Sequence, residues 1–149
     1  MTHVSNILLL DAEDLMREAT ALLLVNRGAE VTKSASPEEA SVQLARQTFE
    51  VVIVDVHEDA REITWLRDIV EKASPSARVI VCTEKPLSPL AGAGIHRVLV
   101  KPYAFDRLVE AVFGTPSQHN RGSRLAVRSF ARRVTMHRRA PSILRRGRA

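Results

Sequence analysis

The chain has 149 residues, 45% of them hydrophobic and 26% charged, the balance of a globular domain rather than of a disordered or fibrous chain. No apolar run nears the roughly 20 residues that span a bilayer, and residues 1–5 carry no signal-peptide pattern. The formal net charge of +5 hides a segregation: residues 1–114 hold all 17 acids against 12 bases, a formal −5, whereas residues 115–149 hold ten arginines and no acid, a formal +10. The expected organisation is a folded body over 1–114 and a cationic segment over 115–149 with a different task. The single cysteine, Cys82, excludes an internal disulfide and a cysteine zinc site, and fits a reducing cytoplasm.

The body alternates short apolar runs with helical periodicity. Ile7 to Leu10 is apolar at every position, as suits a strand buried on both faces of a parallel sheet. A helix is expected over about 14–26, with Leu15, Ala19, Leu22 and Leu23 on one side and Arg27-Gly28 as its stop. Residues 30–33 read as a second strand. Ser36-Pro37-Glu38-Glu39 is a helix start: Ser36 can cap, Pro37 suits the first turn, and Glu39 lies three residues after the cap. That helix runs to about Gln47. Val51 to Val54 is the third strand, and a helix over about 62–73 presents Ile63, Leu66, Ile69 and Val70. Residues 78–82 form the fourth strand. The stretch 85–94, with Pro86, Pro89, Gly92 and Gly94, leaves room only for a short or frayed helix. A fifth strand over 97–100 and a helix over 105–113 close the body. This (βα)₅ pattern implies an α/β, doubly wound, open parallel sheet with right-handed crossovers. Gly92-Ala93-Gly94 precedes a strand rather than joining strand to helix, so a phosphate-cradle reading fails on context.

Four polar residues end these strands: Asp11, Asp55, Thr83 and Lys101. In a doubly wound sheet all C-terminal strand ends lie on one edge, where ligands bind. Two carboxylates, a hydroxyl and an ammonium should therefore converge there. Two acids suit a hard cation such as Mg²⁺. A carboxylate can also act as nucleophile toward phosphorus, with the cationic groups neutralising phosphoryl oxygens. Any one of these residues is explained as well by a chance strand end or a solvated surface charge; the four together are not. Cys82, inside an apolar strand, reads as a small apolar filler, and Trp65 as a packing or partly exposed residue of its helix. The five histidines show no metal-ligand spacing, and no nucleophile–base arrangement suggests a hydrolase.

Residues 5–114 resemble the response-regulator receiver domains of bacterial two-component signalling. The resemblance rests on ILLLD at 7–11, Met16-Arg17, VVIVDV at 51–56, VIVCT at 79–83 and Val100-Lys101-Pro102. It implies a flavodoxin-like five-stranded sheet of order 2-1-3-4-5 and a signalling phosphoprotein of the CheY-like kind, not an enzyme. In that pattern Asp55 is the phospho-acceptor, Thr83 the switch hydroxyl and Lys101 the phosphate-contacting ammonium. Asp11, Asp55 and the backbone carbonyl of His57 would form the Mg²⁺ site. The implied partners are a histidine kinase or phosphotransfer protein, and a downstream protein bound through the face of the fourth helix, fifth strand and last helix. The chain departs from the pattern at several places. Ala12 stands where the family has its direct acidic metal ligand, implying weakened Mg²⁺ binding, and Glu13 is one residue off register. Glu84 follows the switch Thr where a small residue is usual. Val98 replaces an aromatic, and His57-Glu58-Asp59-Ala60 replaces a Pro-Gly loop.

Thr115 to Gly122 reads as a linker. A helix is conceivable over 123–139, with Val127, Phe130, Ala131 and Val134 as a narrow apolar stripe among arginines. Such a segment suits nucleic-acid phosphates, an anionic membrane surface or an acidic protein face, and equally a solvated tail that stays unfolded until it meets a partner. It is too short for a helix-turn-helix output domain. The other function to weigh is therefore a phosphorylation-independent receiver-like scaffold, or a nucleic-acid-binding adaptor that uses these arginines.

Overall fold

A computed structural model of the chain describes residues 3–57, 63–86 and 94–114. In chain order the elements are β1 (Asn6–Leu10), α1 (Asp14–Asn26), β2 (Glu30–Ser34), α2 (Pro37–Arg46), β3 (Val51–Val56), α3 (Ile63–Lys72), β4 (Arg78–Thr83), β5 (Arg97–Val100) and α4 (Phe105–Phe113). All lie in one compact unit, Met1–Phe113. The strands form a single sheet in the order β2-β1-β3-β4-β5, every pair parallel. This is the flavodoxin-like doubly wound order. Most of the stretch 85–94 and all of 115–149, with the helices expected there, lie outside the described residues.

Alternating strand residues feed two core layers. Leu8, Leu10, Val52, Val54, Val79 and Val81 pack toward Ala40 of α2 and Leu66 and Ile69 of α3. Ile7, Leu9, Val51, Ile53 and Ile80 pack toward Ala21 and Leu24 of α1 and Leu108 and Val112 of α4. The uninterrupted apolar runs in the sequence have this cause, since both faces of the sheet are covered. Each fully buried Leu, Ile or Val contributes about 1.5–3 kcal/mol by leaving water.

Helix ends form as their sequences dictate. After α1, the N–H of Gly28 donates to the carbonyl of Val25 at 2.9 Å and that of Ala29 to Leu24 at 3.2 Å, the Schellman pair. Gly28 takes φ +92° to make that turn, a region where a side chain is strained. At α2, Ser36 Oγ accepts from the N–H of Glu39 at 3.2 Å, and the Glu39 carboxylate accepts from the N–H of Ala35 at 2.8 Å, a close variant of the capping box.

The orientation of α1 departs from the amphipathic expectation. The side carrying Leu15, Ala19, Leu22 and Leu23 faces outward, and Leu15 is 82% and Leu22 62% exposed. Ala21 and Leu24 occupy the inner face instead, beside the half-buried Arg17 and Thr20. Apolar residues occur nearly all round this helix, so periodicity alone does not select the packed side.

Candidate functional site

The strand registers place the polar residues side by side. Leu10 pairs with Val54, so Asp11, just past β1, and Asp55, the last residue but one of β3, stand on adjacent strands at one level. Asp55 pairs with Cys82 and Val56 with Thr83. Thr83 pairs with Val100, and its carbonyl accepts from the backbone N–H of Lys101 at 2.8 Å. The four strand-end residues thus reach one edge of the sheet, as the sequence predicts. The tightest link is between the two most distant pieces of chain. Lys101 Nζ donates to Asp55 Oδ1 at 2.6 Å, with the Asp55 side chain mostly buried and that of Lys101 only a quarter exposed.

Asp11 is 2% exposed and anchored on several sides. Its N–H donates to the carbonyl of Ser34 on β2 at 3.1 Å, and its Oδ1 accepts from the N–H of Glu13 at 2.9 Å. Arg17 of α1 donates to the Asp11 carbonyl at 2.9 Å and pairs with Asp14 at 2.7 Å. The first turn of α1 is thereby tied to the site. Met16-Arg17 carried the family resemblance without an assigned role, and this clasp supplies one for Arg17.

His57 is the residue whose side chain sequence reasoning missed. Only its backbone carbonyl was expected at the site, yet the imidazole points into it. Nε2 lies 3.0 Å from Asp11 Oδ1 and 3.1 Å from Asp55 Oδ1. The available signal was its place two residues after Asp55, where the strand has just ended and a side chain can swing back over the edge.

Burial raises the Asp55 carboxyl above its ordinary range. The neighbouring Asp11 charge adds to this, while Lys101 and His57 pull the other way. Loss of water dominates because ionisation in a confined site forfeits hydration that the partners only partly replace. Thr83 is buried at the same edge, but its hydroxyl serves a local turn, donating to the Lys85 carbonyl at 2.9 Å and accepting from the Lys85 N–H at 3.3 Å. Cys82 is buried, and desolvation pushes its thiol up to about 11, which fits the apolar-filler reading and excludes a reactive thiolate at neutral pH. Tyr103 is half-buried and packs against the α1–α4 core layer. A cavity of about 280 Å³ opens beside the carboxylates, lined among others by Ala12, Glu38, Asp55, His57 and Trp65.

The sequence profile of the response regulator receiver domain matches residues 7–113. The chain belongs to this family. Among solved structures, the response regulator protein TrrA from Thermotoga maritima, determined in complex with Mg²⁺ and BeF, is similar to it with a TM-score of 0.63 and 26% identity, covering 73% of this chain and 96% of that one. The chemotaxis protein CheY4 of Vibrio cholerae shares the fold with a TM-score of 0.62 and 22% identity, over 72% of this chain and 95% of that one. A Burkholderia pseudomallei response regulator protein with a phosphorylated aspartic acid and a calcium ion shares it with a TM-score of 0.64 and 19% identity, over 83% and 74%. No curated protein matches the chain. Receiver domains are signalling modules of two-component systems.

As a receiver, this chain has an altered pocket. Ala12 lines the cavity with a methyl group where the family pattern has an acid. Glu84 is exposed just past Thr83. Val98 of β5 is exposed in the place of the expected aromatic, and the half-buried Tyr103 lines a surface pocket together with Val98 and Val100. Asp11, Asp55 and His57 each offer a ligand atom, all within 4.8 Å of one another. This donor set fits a divalent cation: two carboxylates supply charge, and the cavity has room for the waters that such ions retain. No helix among the described residues is long and apolar enough to cross a membrane.

Proposed function

We propose that this receiver accepts a phosphoryl group on Asp55 from a histidine kinase or phosphotransfer protein and relays the event by changed partner binding. An Asp55 carboxylate oxygen attacks phosphorus as the phosphorus–nitrogen bond to the donor histidine breaks, and the departing imidazole takes up a proton. Lys101, already on Asp55 Oδ1 at 2.6 Å, neutralises the incoming phosphoryl oxygens. Asp11, Asp55 and the backbone carbonyl of His57 would hold Mg²⁺, which supplies charge neutralisation at the phosphoryl group when bound. The downstream partner would bind the face that includes β5 and α4. The observation that carries the reading is the Lys101–Asp55 pair beside buried Asp11. Incubation with acetyl phosphate and Mg²⁺, followed by a phosphate-affinity gel, should give a retarded band that Asp55→Ala abolishes. A shift that survives Asp55→Ala, or none in the wild type, overturns the reading.

A second reading has its own support. The Thr83 hydroxyl is engaged with Lys85, Glu84 places an anion next to it, and Val98 replaces the aromatic that would report the hydroxyl's movement. A receiver-like scaffold that binds partners without a phospho-switch would keep the fold and show equal partner affinity with and without acetyl phosphate. In either reading residues 1–114 form the receiver, and the ten arginines of 115–149 add electrostatic affinity for an acidic partner or nucleic acid. Removing 115–149 should then abolish salt-sensitive retention on DNA.

A further inference from the structure

The imidazole of His57 changes the chemistry of the pocket. A cradle for Mg²⁺ needs oxygen donors and strict octahedral geometry. This pocket lacks the acid at position 12 and gains a nitrogen. Two donors at about 2.1 Å from a common ion stand about 3.0 Å apart at right angles and about 3.4 Å apart at the tetrahedral angle that Zn²⁺ favours, so the choice of ion turns on donor chemistry rather than on spacing. Nε2 stands 3.0 Å from Asp11 Oδ1, a hydrogen bond, and 3.1 Å from Asp55 Oδ1, and the three potential ligand atoms all lie within 4.8 Å of one another, so an ion can take the place of the imidazole proton between them. The cavity lies alongside, and Ala12 and His57 both line it. Asp11 is held by Glu13, Arg17 and Ser34, so the site does not have to assemble around an ion.

We propose that His57 is a side-chain metal ligand that makes this pocket prefer a borderline divalent transition ion, of which Zn²⁺ is the probe, over Mg²⁺, its imidazole taking the coordination position that Ala12 cannot fill. Imidazole nitrogen suits Zn²⁺ and its neighbours in the first transition row and is a poor match for Mg²⁺. The proposal rests on the reading of this pocket as the phosphoryl-acceptor site. Lys101 stays on Asp55 and can keep its place on the phosphoryl side while the ion occupies the Asp11–His57 side.

Trp65 lines the same cavity, so its fluorescence reports directly on the pocket. Full-length wild type, His57→Ala, His57→Gln and Ala12→Asp would be titrated at fixed pH with ZnCl₂ and separately with MgCl₂, following Trp65 emission and calorimetric heat. His57→Gln keeps a polar side chain without the imidazole, and thermal melts confirm that each variant is folded. The wild type should bind Zn²⁺ more tightly than Mg²⁺. Both His57 variants should lose about 10-fold or more in Zn²⁺ affinity with Mg²⁺ affinity unchanged, and Ala12→Asp should strengthen Mg²⁺ binding. Equal Zn²⁺ affinity in wild type and His57→Gln overturns the proposal. Acetyl-phosphate labelling of the wild type, run in Mg²⁺, separates the two ideas. Labelling with no His57 effect on Zn²⁺ sinks the metal assignment alone, and a His57-dependent Zn²⁺ site with no labelling sinks the acceptor reading alone.

Discussion

At the rim of the sheet a carboxylate, Asp11, is almost fully buried, while on α1, four residues further along the chain, Leu15 is almost fully exposed. Both regions invert the usual sorting of polar and apolar groups, and they do so at different cost. Buried Asp11 and Asp55 need partners, and the structure supplies Lys101, His57 and the backbone N–H of Glu13. Exposed Leu15 and Leu22 need none, because an apolar side chain has no hydrogen bond to satisfy and much of any protein surface is apolar. A polar group inside must therefore be held in a defined geometry, whereas an apolar group outside is constrained by little in the described fold. Such geometry is what a phosphoryl-acceptor site requires, and Arg17 connects the two regions by clasping Asp11 from the inner side of α1.

The comparison can be broken most sharply on the inner side of α1. Leu24→Ala should cost about 2–5 kcal/mol in urea unfolding, the range for emptying a packed leucine site. A loss under about 1 kcal/mol would show that α1 is not seated on the sheet as described. Next in size is the Lys101–Asp55 pair. Lys101→Ala should slow acetyl-phosphate labelling of Asp55 by about 100-fold, the scale for losing one preorganised charge-stabilising donor; a time course on phosphate-affinity gels checks it. Unchanged labelling would mean that the 2.6 Å contact is structural only.

A smaller effect follows from the raised Asp55 carboxyl. Its folded-state value lies above the ordinary aspartate value of 3.8, so the folded chain binds more protons than the unfolded one and stability falls as pH rises through that window. The contribution is fully present below 3.8 and lost once Asp55 has ionised in the folded state. Asp55→Asn cannot ionise, so its stability relative to wild type should improve over the same interval. Urea midpoints of both proteins in metal-free buffer, taken upward from acid pH, test this. A gap that moves in the wild type's favour would reverse the sign. The smallest change is expected at the outward face, where Leu22→Ser should alter stability by no more than about 0.5 kcal/mol. A larger loss would show that the exposed side of α1 is covered in solution.

Much of this arrangement was legible before any coordinates. Asp11, Asp55, Thr83 and Lys101 each follow a short apolar run that reads as a strand, and parallel topology brings such ends to one edge. The Ser36 cap and the Gly28 stop follow from backbone chemistry that acts within a few residues. His57 was half legible: its place beside Asp55 was clear, but the direction of its ring depends on where Asp11 sits, 46 residues away. The rotation of α1 was not legible, because the helix carries apolar residues on most of its circumference. The small Ala21 and the reach of Arg17 to Asp11, rather than total hydrophobicity, accompany the side that faces the sheet.

The sequence by itself therefore determined the element order, the strand ends that carry the polar groups and the segregation of charge, since each depends on local patterning or on counting. Tertiary structure alone decided which face of α1 is buried, that Thr83 spends its hydroxyl on Lys85, and that an imidazole stands between two carboxylates. Those outcomes depend on distances between residues remote in the chain, which packing and strand register fix and local propensity does not.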